Sequence, residues 1–338
     1  MGWLRGTRPR PHAVPNAPLR PATAAGVPPS AEQVLRRLEW TVLRRLDGLL
    51  QGDVRTLMRG SGLDLAELRE YQLHDDVRHI DWNVTARLQQ LHVRVFTEDR
   101  EMTAWFLLDL SPSVDFGSGT RRKREVLAEF VAVLARLLTR HGNRVGALLY
   151  GAQVEQMIPA RASRRHVLHL LHAVQNRPAP PASAPATTTR LADLLRAAAH
   201  LVKRRSTLFV VSDFISEPGW EKPLAQLASR HDVVAVRLLD PLERALPDLG
   251  LLTLRDAETG EQLLVDTHDA GFRQRFAALA AERDDELRLA LARTGVDALE
   301  LSTEGELQEA IVRFIELRRL RTRRSAGSGL PAHLRKSA

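Results

Sequence analysis

Apolar and polar positions follow a regular alternation of strands and helices from residue 103 onward. Short apolar runs bounded by polar residues predict strands at 104–109, 144–150, 207–212, 232–238 and 297–301, with an antiparallel edge strand at 153–158. Apolar residues spaced by three and four predict helices at 121–140, 163–174, 190–203, 219–230, 268–294 and 305–322. Strands that alternate with helices in this way are typical of a doubly wound α/β fold with a mostly parallel sheet.

The chain before residue 103 predicts a smaller N-terminal α+β lobe, residues 31–103. Ser30 and Gln33 have the spacing of a capping box, in which each side chain bonds the backbone N–H of the other residue. One amphipathic helix follows, since apolar residues recur at helical spacing: Leu35, Leu38, Val42, Leu46 and Leu49. The stretch 59–103 alternates more like strands and is too polar for a core sheet.

The positive charge of the chain lies mainly at its two ends. The net charge is +8, but residues 1–30 hold four arginines and no acid, and residues 317–338 hold six arginines, one lysine and no acid. We therefore expect a disordered basic tail at 1–30, a basic tail at 317–338, and a main α/β domain at 104–316. Nucleic-acid binding through the tails is an alternative function, although a reader of nucleic acid usually carries its charge on a folded face.

Composition excludes several other classes of protein. With zero cysteines there can be no disulfide, thiolate zinc site or cysteine nucleophile. No apolar run reaches the roughly 18 residues of a membrane helix, and no secretory leader is recognisable. We therefore expect a cytoplasmic protein.

Oxygen-bearing side chains stand where predicted strands end and where one helix begins. Asp109, Ser111 and Ser113 form a D-x-S-x-S sequence after the first strand of the main domain, Thr189 opens a helix, and Asp213 follows another strand. Because ligands of parallel sheets bind at the carboxyl ends of the strands, these side chains are predicted to converge. Three hydroxyls with two carboxylates suit Mg²⁺, or Mn²⁺, and the order is similar to that of a metal-ion-dependent adhesion site of the von Willebrand factor A kind.

Simpler interpretations of the same residues stay open. Asp and Ser after a strand often cap the next helix, and Thr189 could cap helix 190–203. A metal-dependent hydrolase could use Asp109 and Asp213 with a third carboxylate from Asp75, Asp76 or Asp81. Residues 117–120 lack the spacing of a phosphate loop, so we expect no nucleotide site there.

The N-terminal lobe carries a longer signature that resembles a known family. Residues 62–72 read GLDLAELREYQ, residues 75–87 read DDVRHIDWNVTAR, and VRVF at 93–96 with EDRE at 98–101 leads into Asp109. This block is similar to the bacterial "domain of unknown function 58" proteins, and the resemblance extends over about residues 30–300. The alternating charges of the block suit an ion-pair network that fastens the N-terminal lobe to the sheet. Trp82 is expected to be a buried anchor, because large aromatic side chains dominate protein cores.

The resemblance implies a fold and a function. It implies a von Willebrand A-like domain with the adhesion-site metal, acting as a protein-binding adaptor and not as an enzyme. Such proteins are commonly paired with a MoxR-type AAA+ ATPase in chaperone-like maturation or assembly of other proteins. A client protein would offer an Asp or Glu to the metal. Thr189 lacks the Gly-Gly that often precedes this threonine, so Thr188 is a rival ligand. Without the membrane helices of many relatives, this chain would be a soluble member.

Overall fold

A computed structural model describes residues 30–38, 42, 67–72, 77, 80–95, 102–177, 188–255 and 261–327. Its strands are β1 Glu67–Glu70, β2 His92–Val95, β3 Thr103–Asp109, β4 Arg144–Tyr150, β5 Val154–Arg161, β6 Thr207–Ser212, β7 Asp232–Leu239, β8 Leu251–Arg255, β9 Gln262–Asp266 and β10 Asp297–Ser302. Its α-helices are α1 Ala31–Leu38, α2 Trp82–Leu88, α3 Lys123–Arg140, α4 Arg164–Gln175, α5 Leu191–Leu201, α6 Glu221–Ala228, α7 Ala270–Thr294 and α8 Leu307–Gly327.

Six strands form the central sheet in the order β10-β7-β6-β3-β4-β5. All neighbours are parallel except β5, which pairs antiparallel with β4 at one edge. The chain therefore moves outward from β3 in one direction through β4 and β5, then returns to place β6, β7 and β10 on the other side. This arrangement confirms the predicted doubly wound α/β fold, including the antiparallel edge strand.

Both faces of the sheet are covered, because its central strands are apolar on both sides. In β3, Phe106 belongs to one core, where its ring lies 5.5 Å from that of Phe209 and 6.5 Å from that of Phe130 on α3. Trp105 and Leu107 belong to the second core, on the opposite face. The alternation follows from the two-residue repeat of a strand, and it explains why the sequence of β3 is continuously apolar.

The N-terminal segments contain the helix cap that the sequence predicts. The predicted capping box is present, with Gln33 N donating to Ser30 Oγ over 3.2 Å and Ser30 N donating to Gln33 Oε1 over 2.8 Å. In the small lobe β1 pairs antiparallel with β2, and α2 lies between them in sequence. The buried Asp81 caps α2 through Val84 N.

Trp82 was expected to be buried, and that prediction is wrong. Its side chain is 67% exposed. Asp81 turns inward to cap α2, so the next residue along the helix faces solvent. Several other predictions fall outside the described residues. They concern Leu46 and Leu49 of the predicted first helix, the hydrolase candidates Asp75 and Asp76, and most of the charged signature.

The predicted start of the basic C-terminal tail at residue 317 is also wrong. Helix α8 continues to Gly327, and Arg318 is buried within it. Its guanidinium donates to Asp232 over 2.6 Å and to Asp297 over 2.8 Å, at the first residues of β7 and β10. These two carboxylates compensate the buried charge, so Arg318 belongs to the folded domain. Of the two predicted tails, 1–30 and 317–338, residues 1–29 and 328–338 lie outside the described residues.

Strands β8 and β9 pair antiparallel in a separate two-stranded sheet. Among the described helices, none has both the length and the apolar character that crossing a bilayer requires.

Candidate metal centre

The candidate site lies between β3 and β6, where the order of the sheet reverses. The two strands are parallel neighbours, with Leu108 opposite Val211, so their carboxyl ends leave the sheet side by side. Asp109 is the last residue of β3, and Ser212 is the last residue of β6. This is the position at which doubly wound sheets bind ligands.

The loop after β3 gathers three of the predicted residues into one hydrogen-bonded turn. Asp109 Oδ1 accepts from Ser111 N over 3.0 Å, and the Ser111 and Ser113 hydroxyl oxygens lie 3.0 Å apart. A short 3₁₀ helix at Pro112–Asp115 turns the chain so that both serines face inward, and both are buried.

Asp213 joins this group through the residue before it. Ser212 Oγ donates to Asp109 Oδ2 over 2.7 Å, which ties the two strand ends together. Asp213 Oδ1 accepts from Ile215 N over 3.0 Å, and Ser212 Oγ accepts from Phe214 N over 2.9 Å. Phe214 adopts a positive φ of 60°, which is uncommon for a bulky residue. Strained backbone of this kind is often found at functional sites.

Thr189 reaches the same edge of the sheet through two loops. Its carbonyl accepts from Ser216 Oγ and Glu217 N, each over 2.9 Å, so the segment before α5 is bonded to the loop after β6. The Thr189 side chain is buried, whereas Thr188 donates its hydroxyl to the exposed Glu217 carboxylate. Of the two rivals, Thr189 is therefore the one that faces inward.

Thr189 does not cap helix α5. The first residue outside the helix is Arg190, which makes no side-chain cap, and Ser216 Oγ accepts from Leu191 N over 2.9 Å instead. The simpler interpretation of Thr189 as a helix cap therefore fails.

The site contains two charged residues that the sequence did not identify. The ammonium of Lys123, the first residue of α3, donates to Asp213 Oδ2 over 2.7 Å and to Glu243 Oε1 over 2.6 Å. Burial alone would lower the pKa of Lys123, but Asp213 and Glu243 raise it above its ordinary value. A sequence signal was present, since a lysine in the first turn opposes the helix dipole and needs a compensating partner.

Asp109 carries an electrostatic cost that a nearby cation would relieve. Burial raises the pKa of Asp109 to about 6 and the negative charge of Asp213 adds to the rise, while hydrogen bonds from Ser212 and Ser111 oppose it. The donors at this edge are hydroxyl and carboxylate oxygens, which suit a hard cation such as Mg²⁺. The oxygen donors of the five predicted residues suit a divalent ion by their chemistry, and hydrogen bonds gather Asp109, Ser111 and Ser113 at the strand end that adjoins Asp213.

The alternative sites receive less support from the described part of the chain. It contains no group of three or more His, Cys, Asp or Glu side chains arranged to hold a metal. The histidines of α4, at positions 166, 169 and 172, have the spacing to share a helix face and bind a transition metal, but His166 Nε2 lies 2.9 Å from Val145 O and so already has a partner. The loop at 117–120 is closed by Ser118, whose N–H and hydroxyl both donate to Asp240.

Comparison with known proteins gives one family and several relatives. The family model described as "Protein of unknown function DUF58" matches residues 67–286. "Uncharacterized protein Rv1480" of Mycobacterium tuberculosis is 36% identical over 291 residues, which cover 86% of this chain and 90% of the relative. "Uncharacterized protein MAV169" of Mycobacterium avium is 34% identical over 162 residues, covering 48% of this chain and 94% of the relative.

Similar solved structures include the conserved hypothetical protein BatB from Bacteroides thetaiotaomicron, with 14% identity, a TM-score of 0.41, and coverage of 65% of this chain and 99% of that one. They also include the VWA domain of SpRpn10, with 12% identity, a TM-score of 0.36, and coverage of 62% and 93%.

Proposed function

This chain belongs to the family described as Protein of unknown function DUF58, and from that premise we propose that it is a non-enzymatic adaptor that binds a partner protein through Mg²⁺ or Mn²⁺. The observation that carries the proposal is the convergence of two buried aspartates with the Ser111 and Ser113 hydroxyls at the reversal point of the sheet. Protein binding is the function that the von Willebrand A-like fold and this set of donors support best.

The roles of the residues follow from their chemistry. The hydroxyls of Ser111, Ser113 and Thr189 would ligate the ion, while Asp109 and Asp213 would hold its waters and balance its charge. Three neutral ligands leave the ion enough Lewis acidity to bind an Asp or Glu that a client protein offers. These side chains would hold the ion in a defined position, because all five are buried.

The proposed partner that supplies energy is a MoxR-type AAA+ ATPase, and the family resemblance is the support for it. The sequence lacks the G-x-x-x-x-G-K-[ST] phosphate loop, so nucleotide hydrolysis would be the task of the other chain. The pair would act in chaperone-like maturation or assembly of the client, in the cytoplasm, where ATP is supplied.

A pull-down from native lysate tests this function. The full chain is used as bait in Mg²⁺ and again in EDTA, beside Ser111→Ala and a matched control, Ser206→Ala. Ser206 is a buried serine that precedes β6 at the opposite edge of the sheet and donates to Arg204 O. We expect an AAA+ ATPase in every sample, and a client that is lost in EDTA and with Ser111→Ala but retained with Ser206→Ala. A client retained in EDTA, or turnover of a phosphoester by the purified chain, would refute the proposal.

A further inference from the structure

Lys123 is a charged side chain at the candidate site that the proposed ligand set does not use. It is 1% exposed, and its ammonium bonds two carboxylates that come from different loops, Asp213 after β6 and Glu243 after β7. The ammonium also lies 5.9 Å from the centre of the Phe116 ring. A lysine is therefore built into the wall of the site.

Placing the Lys123 ammonium at this position costs folding free energy. Burial removes the hydration of the ammonium, and the first turn of a helix repels a cation through the helix dipole. The two carboxylates offset these costs, and Glu243 is itself fixed because its second oxygen accepts from Asp240 N over 3.1 Å. The structure thus holds one positive charge in a defined place beside Asp213.

Both oxygens of Asp213 already have partners within the chain. Oδ1 accepts from Ile215 N, and Oδ2 accepts from the Lys123 ammonium. A divalent ion at the proposed site would therefore meet an aspartate whose charge is largely compensated, together with a cation that repels it. Both effects weaken the binding of the ion and stabilise the protein without it.

We propose that Lys123 is an internal cation that competes with the divalent ion for Asp213, keeps the loops after β6 and β7 folded without metal, and makes metal binding weak and reversible. The inference rests on the proposed function, because it concerns the same ion. It adds a means of regulation, since a client carboxylate that completes the coordination would then contribute a large share of the affinity. Client and ion would each strengthen the binding of the other.

The test is a calorimetric titration of MgCl₂ into the full chain, with thermal unfolding measured in EDTA and in Mg²⁺. Lys123→Met removes the charge and keeps most of the side-chain volume. Its matched control is Arg318→Met, which also removes a buried cation from between two carboxylates, Asp232 and Asp297, at the opposite edge of the sheet.

We expect Lys123→Met to bind Mg²⁺ about tenfold more tightly than the wild type, because one repelling charge beside Asp213 is gone. Its unfolding temperature should fall in EDTA and recover in Mg²⁺ to a much greater extent than that of the wild type. Arg318→Met should be less stable in both buffers, and Mg²⁺ should shift its unfolding temperature no more than it shifts that of the wild type.

Other outcomes overturn the inference in distinguishable ways. If the wild type binds Mg²⁺ and Lys123→Met binds it equally or more weakly, the role of Lys123 is refuted and the proposed function stands. If neither protein binds Mg²⁺, both proposals fall. If Lys123→Met does not fold, Glu243→Gln gives a test of opposite sign. It leaves Lys123 with one carboxylate fewer and should weaken Mg²⁺ binding, so unchanged or tighter binding would refute the role of Lys123.

Discussion

The charge of Asp109 should destabilise the metal-free protein, and removing it should make the protein more stable. Asp109 is fully buried, and its pKa is raised to about 6, first by burial and then by the charge of Asp213. In the unfolded chain the pKa returns to its ordinary value of 3.8. Above about pH 6 the carboxylate is ionised in both states, so the folded state bears the full cost of the buried charge.

The size of the effect follows from the pKa difference. At about 1.4 kcal/mol per pH unit, a rise from 3.8 to about 6 corresponds to about 3 kcal/mol. In Asp109→Asn the amide can still accept from Ser111 N, but its bond with Ser212 must reverse direction, which costs about 1 kcal/mol. We therefore expect Asp109→Asn to be about 2 kcal/mol more stable than the wild type at pH 8 in EDTA.

The assay is urea unfolding of both proteins in EDTA at several pH values from 8 to 4.5. Folded Asp109 takes up its proton at a higher pH than unfolded Asp109, so wild-type stability rises relative to the variant as the pH falls from about 7 toward 4. The advantage of Asp109→Asn should therefore shrink over that range. A variant equal to or less stable than the wild type at pH 8, or a difference that does not change with pH, would refute the reasoning.

A second buried aspartate provides a control of opposite sign. Asp240 follows β7, and burial alone would raise its pKa. Hydrogen bonds from Ser118, Thr303 and Leu242 N nevertheless hold that pKa below its ordinary value. Asp240→Asn loses charge-assisted hydrogen bonds and should therefore destabilise the protein at pH 8.

Three further predictions concern the fold. Phe106→Ala should cost about 3–5 kcal/mol in urea unfolding, because it leaves a cavity beside the Phe130 and Phe209 rings on which Phe106 packs. A loss below about 1 kcal/mol would contradict this packing. Gly295→Ala should cost about 1 kcal/mol through backbone strain alone, since Gly295 has a φ of 69° and an added Cβ meets no atom within 4 Å; an unchanged unfolding midpoint would refute that conformation. Trp82→Ala should change stability by less than about 0.5 kcal/mol, and a larger loss would show that the indole is buried.

The sheet could be predicted because its signal is local. A strand buried on both faces reads as a continuous apolar run, and β3 and β6 end at polar residues that mark the carboxyl edge of the sheet. The same logic indicated Asp109 and Asp213 as neighbours, since strands on either side of a reversal point end together. The Ser212 bond to Asp109 shows that the strand ends do meet.

Residues whose surroundings come from distant segments could not be predicted in this way. Lys123 and Glu243 are 120 positions apart in sequence, and no local pattern links them. Arg318 lies in a basic run that predicts a solvated tail. In the fold it is buried and donates to carboxylates at the starts of two strands. Trp82 was assigned to the core by residue type, but the direction of its side chain depends on the cap that Asp81 makes.

The most direct test of the central claim is a calorimetric titration of MgCl₂ into the wild-type chain and into Ser111→Ala at neutral pH. We predict one ion per chain for the wild type and no measurable binding for Ser111→Ala, with unfolding curves that show both proteins to be folded. Equal binding by the two proteins, or the absence of binding by the wild type, would contradict a metal centre built on Asp109, Ser111, Ser113, Thr189 and Asp213.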